Sequence, residues 1–162
     1  MVHGAISQYG DRAYTDMAEV FAALGNIQEN YNWLISNFEL NQEVEELYGQ
    51  DSPYCWFTGQ ELAELLAKYP SLQWIWGFFR GFDKSISREE VMSHSQAFEA
   101  EFEGFWTNPV SIQHPLADIE IVPWDSTLVL LVGKDEKLVE QFKQNFEPCV
   151  DLAQYNDSLF MS

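Results

Sequence analysis

Apolar residues recur at three- and four-residue steps through Tyr14, Met17, Phe21 and Leu24, which predicts an amphipathic helix over residues 11–24 closed by Gly25 and Asn26. The period then changes. Asn32–Phe38 is rich in aromatic and branched side chains and reads as a strand, whereas Asn41–Tyr48 is too brief to separate a short helix from a loop. Thr58 and Glu61 form a capping-box pattern, in which each side chain accepts the other's backbone N–H. Leu62, Leu65 and Leu66 make the buried stripe of the helix that follows, and Pro70 stops it. Leu72–Phe82 is the most apolar segment and lacks strict alternation, so it reads as a central strand covered on both faces.

Ser87 with Glu90 repeats the capping pattern and opens a helix that fades near His94. Residues 95–117 form a long irregular connection with Gly104, Pro109 and Pro115, and its Phe98, Phe102, Phe105 and Trp106 imply that it packs against the protein. Ile119–Val122 and Leu128–Val132 read as a hairpin, with Pro123–Thr127 as the turn. Asp135 caps the last expected helix, whose apolar face carries Leu138, Val139, Phe142 and Phe146. Residues 1–162 are thus expected to form a single globular domain of the α+β class: a mostly antiparallel sheet with helices packed on it.

Composition adds core material: six Trp, seven Tyr and twelve Phe. Trp33, Trp56, Trp74 and Trp76 fall in apolar runs and read as core, while Trp106 and Trp124 fall in connection or turn positions. Cys55 and Cys149 sit among apolar neighbours and read as free buried thiols. Met1–Ser7 shows no basic segment followed by an apolar run, and His3 is expected near a mobile terminus. No stretch approaches the roughly 18 apolar residues of a membrane span, so a cytoplasmic location is expected.

Motifs for catalysis are lacking. There is no phosphate-binding glycine loop, no G-x-S-x-G and no H-E-x-x-H, and the two cysteines lack zinc-site spacing. No catalytic residue, metal or cofactor is expected. The residues that invite a second reading are Asn108, Gln113 and His114. Held between two prolines beside Glu120 and Asp125, they could line a polar cleft for a small molecule. The plainer reading is that Pro109 and Pro115 stiffen a crossover whose polar side chains bond its backbone.

Charge changes the picture most. With 26 Asp and Glu against 8 Lys and Arg, the net charge is −18, well beyond the roughly 2–8 that suits a small soluble domain. Such a field repels nucleic acid and anionic membranes and steers basic proteins inward. Glu43, Glu45 and Glu46 form one acidic cluster and Glu99, Glu101 and Glu103 another, while Trp106, Trp124 and Asp125 are the candidate contact residues. The expectation is a non-enzymatic binding protein that masks the basic surface of a toxin or nucleic-acid enzyme.

In the segments YNWLI (31–35), QWIWG (73–77), IQHPLA (112–117) and EIVPWDS (120–126), the chain resembles the small acidic immunity proteins that bacteria make beside polymorphic or contact-dependent toxins. The resemblance spans roughly residues 31–156 and is one of general character. It implies a small α+β domain without catalytic motifs and a cognate toxin as partner, and carries over no site residues.

Overall fold

The computed structural model describes residues 1–8, 15–50, 53–94 and 102–159. In chain order the elements are β1 (His3–Gln8), α1 (Met17–Ala23), β2 (Asn32–Leu40), α2 (Glu45–Tyr48), β3 (Cys55–Phe57), α3 (Gly59–Lys68), β4 (Trp74–Phe82), α4 (Arg88–Met92), β5 (Ile119–Trp124), β6 (Leu128–Gly133), α5 (Glu136–Asn145), β7 (Val150–Asp151) and α6 (Leu152–Leu159). Among the described residues, seven strands form one sheet in the order β3-β2-β4-β5-β6-β1-β7, and every ladder between them is antiparallel. This is the α+β arrangement the pattern predicts. Among the described residues, no helix is long and apolar enough to cross a membrane.

The sheet is covered on both sides, which is why β4 lacks alternation. One face presents Trp33, Ile35, Phe79, Ile121 and Leu131 to α1, α3 and α5, in the largest apolar cluster. The other presents Ile6, Phe78, Val122 and Leu130 to Phe105 and to Leu152 of α6, while Leu34 and Phe82 meet Val91 of α4 and Ala117. Successive residues of β4, β5 and β6 thus enter different clusters, as the two-residue period of a strand requires.

Local chemistry sets the helix starts. The Asp16 carboxylate accepts from Ala18 N–H and begins α1 at Met17; Tyr14, predicted on this helix, lies outside the described residues. Thr58 and Glu61 close both bonds of their capping box, at 3.2 and 2.8 Å. Ser87 accepts from Glu90 N–H at the head of α4, and Asp135 from Lys137 N–H at the head of α5.

The structure corrects several expectations. His3 stands in β1, opposite Gly133, and Ala5 and Ile6 are buried there; the segment is too short to show a period by itself. A further helix, α6, follows α5, because Leu152 and Asn156 bury one side of an otherwise polar segment. The hairpin turn is shorter than predicted. Trp124 ends β5 opposite Leu128, and Asp125 and Ser126 make the reversal at φ 50° and 59°. Trp33 and Trp74 are fully buried, but Trp56 and Trp76 are half-buried. A register irregularity near Asn37 (φ 52°) accompanies this, with Trp74 in the first layer and Trp76 on the opposite side against Trp124.

Candidate functional site

The register that pairs Phe79 with Ile121 and Arg80 with Glu120 brings Trp76 and Trp124 side by side on neighbouring strands. Their ring centroids are 4.6 Å apart. A single 3-10 turn, Glu103–Trp106, then lays Trp106 edge-on against Trp124, at 5.4 Å and 84°. Tyr155 of α6 reaches Trp106 at 6.2 Å. All four rings are half-buried, so together they form an aromatic face open to solvent. Beneath it, Phe105 is fully buried and stacks on Phe78 at 6.3 Å. Phe102, Glu103, Trp106 and Trp124 enclose a cleft of about 150 Å³, with Glu103 exposed.

Two sets of polar contacts hold this face in place. On the α6 side, Asn108 donates to the Ala153 carbonyl and to Asp157, at 2.9 and 2.8 Å. Asn156 donates to the Phe105 carbonyl at 2.9 Å. On the sheet side, a buried ion pair fastens the other end of the connection. Arg80 Nε lies 3.3 Å from Glu120 Oε2, and the two side chains are 0% and 1% exposed. Arg80 Nη1 donates to Ser36 at 2.7 Å, and Nη2 donates to Gln113 Oε1. The Glu120 carboxylate accepts the backbone N–H groups of Gln113 and His114, at 2.6 and 3.0 Å. Burial pushes the Glu120 carboxyl up and the Arg80 guanidinium down, and each charge opposes the shift of the other.

His114 is fully buried and both its ring nitrogens are bonded. Nδ1 accepts from Leu116 N–H at 3.1 Å, which leaves Nε2 as the donor to the Val91 carbonyl at 3.0 Å. Burial pushes its pKa below the ordinary 6.5, and the nearby Arg80 and His94 push the same way. A neutral imidazole with both nitrogens engaged is a structural tie between the connection and α4. Gln113 is also buried, whereas Asn108 is exposed at α6, so these three residues do not share one opening. Cys55 is buried as expected and donates to the Leu47 carbonyl at 3.3 Å, whereas Cys149 is only half-buried; burial pushes both thiols up to about 11, which keeps them protonated.

The structure gathers Glu103, Trp106 and Trp124 at the aromatic side of the sheet, and Asp125 is the exposed turn residue that follows Trp124. Glu43, Glu45 and Glu46 lie elsewhere: Val44 and Leu47 anchor that segment in the cluster under α1, α3 and α5. Glu43 and Glu45 are exposed, while Glu46 accepts from Lys68 and Tyr69 at 3.1 and 2.8 Å. Burial alone would raise the Glu46 carboxyl, but those two donors hold it below its ordinary value. Glu99 and Glu101 lie outside the described residues. Sequence reasoning missed Trp76, Phe102 and Tyr155 as members of the aromatic face, and Arg80 with Glu120 as its support. One signal was present: Arg80 is the sole charge in the apolar run Leu72–Phe82, and a buried charge requires a partner.

Comparisons with family models, with curated proteins and with solved structures give no match to this chain.

Proposed function

We propose that the chain is an acidic binding protein that masks the basic surface of a protein partner, as an intracellular inhibitor or immunity protein masks a toxin or nuclease. One observation carries this reading: four half-buried aromatic rings stand together beside Glu103, with exposed Asp125 next in the chain after Trp124, on a protein of net charge −18. Trp and Tyr in partly desolvated clusters supply most interface hot spots. Carboxylates at their rim repel phosphate and attract Lys and Arg, which favours a basic protein over nucleic acid. The polar groups of the connection support this division of labour, since Glu120 holds the backbone of Gln113 and His114 and His114 bonds the Val91 carbonyl of α4, apart from the aromatic face.

Association kinetics with the purified partner test the reading. The association rate should fall about tenfold or more from low to high salt, because steering is screened. Trp124→Ala should instead speed dissociation, weakening affinity by roughly 2 kcal/mol or more. An association rate indifferent to salt, or an affinity untouched by Trp124→Ala, would refute it.

A further inference from the structure

The cleft between Trp106 and Trp124 has a definite chemical character. Its walls are the rings of Phe102, Trp106 and Trp124, and among the described residues Glu103 is the sole charged one in its lining. The two indoles meet at 84°, so the corner offers one ring face and one ring edge. An aromatic face attracts cations through its quadrupole, and the exposed carboxylate adds a full negative charge and two hydrogen-bond acceptors. An anion is repelled here. A purely apolar group would cover Glu103 without bonding it.

Size narrows the occupant further. At about 150 Å³ the cleft is well below the roughly 300–1,000 Å³ of pockets for drug-sized ligands, and suits the head of one side chain. A larger cleft, about 290 Å³ between Glu46, Phe57, Glu61, Glu64, Leu65 and Lys68, contains its own cation. There Lys68 already bridges to Glu46. Among the described residues, no basic residue joins Glu103 in the lining of its cleft.

We infer that the Phe102–Glu103–Trp106–Trp124 cleft is the receptor for one arginine side chain of the basic partner. The planar guanidinium stacks on an indole face and directs N–H donors to the Glu103 carboxylate, a pairing a quaternary ammonium cannot make. The inference rests on the reading of the aromatic face as an interface, and it names the group that this interface takes.

The test uses N-acetyl-arginine amide as probe, at constant ionic strength, with the indole N–H resonances of the folded protein as readout. Conservative Trp106→Phe and Trp124→Phe variants assign the two signals, and the half-buried Trp56 serves as internal reference. The probe should move the Trp106 and Trp124 signals saturably and leave Trp56 in place. The neutral isostere N-acetyl-citrulline amide should move neither, and tetramethylammonium should bind more weakly than arginine. Glu103→Gln, an exposed change that leaves the core alone, should weaken the arginine response about two- to fivefold. An equal response to citrulline, an equal or stronger one to tetramethylammonium, or indifference to Glu103→Gln would overturn the inference. If the arginine probe moves neither indole while the purified partner moves both, the arginine assignment fails and the interface reading stands. If the partner moves neither, the interface reading itself fails.

Discussion

Removing Arg80 or Glu120 singly should damage the protein more than removing both charges together. Arg80→Met strands a carboxylate that is 1% exposed, and Glu120→Gln strands a guanidinium that is 0% exposed. Breaking a buried pair from one side costs about 3–5 kcal/mol, because the remaining charge has lost its compensation. The double variant Arg80→Met/Glu120→Gln removes both charges. The amide oxygen that replaces the Glu120 carboxylate would still accept one of the two backbone N–H groups the carboxylate now holds, those of Gln113 and His114. The other N–H is left unpaired, at about 1–3 kcal/mol. The double variant should therefore cost less than either single one, with a coupling energy of at least about 3 kcal/mol. Urea unfolding followed by Trp fluorescence measures all four proteins, provided the m-value is unchanged. Additivity of the single costs within about 0.5 kcal/mol would refute the account of this pair. So would a single variant costing less than about 1 kcal/mol. The consequence for function is direct, because the same connection carries Trp106 at one end and Gln113 at the other.

Three further expectations are simpler. The folded pKa of His114 is depressed below 6.5, so below that pH the unfolded chain takes up a proton that the folded ring refuses. Stability should fall there by up to about 1.4 kcal/mol per pH unit until the folded ring protonates, and this component should be missing from the stability–pH profile of His114→Gln and present in its difference from the wild type. Thr58→Ala removes the acceptor for Glu61 N–H and should lower stability by roughly 1 kcal/mol in denaturant titration, with the fold intact by circular dichroism. Gly59→Ala would drive its Cβ into the Gln28 carbonyl oxygen and to 2.6 Å from Glu29 Cα, which are backbone atoms that yield poorly. That substitution should cost roughly 1–3 kcal/mol or more, visible as a lowered Tm.

The legibility of the fold varied with the kind of signal. Capping pairs such as Thr58 with Glu61 are local bonds between near neighbours, and they marked helix starts correctly. The continuous apolar run of β4 reflects layers on both sides of the sheet, and its central place followed from that alone. β1 and β7 were not legible because their strand character comes from pairing with distant residues, such as Ala5 with Leu131 and with Asp151. α6 was hidden for a similar reason, since few of its residues are apolar and its buried Asn156 binds a carbonyl far back in the chain. At the site, Trp106 and Trp124 stood out by type and position, but Trp76 read as core until the register near Asn37 was seen. Net charge revealed how acidic the surface is, and only the fold separated Glu43, Glu45 and Glu46 from Glu103.

The central claim is that the aromatic face is where a basic protein docks. The most direct measurement is quantitative capture from source-cell lysate at low salt on the wild-type protein, on Trp106→Ala/Trp124→Ala, and on Glu43→Gln/Glu45→Gln, each checked for fold by circular dichroism. The account predicts that one basic protein is retained in equimolar amount by the wild type and by the Glu43/Glu45 variant, and is lost from the tryptophan variant. Equal retention of the same protein by the tryptophan variant would place the interface elsewhere and contradict the claim.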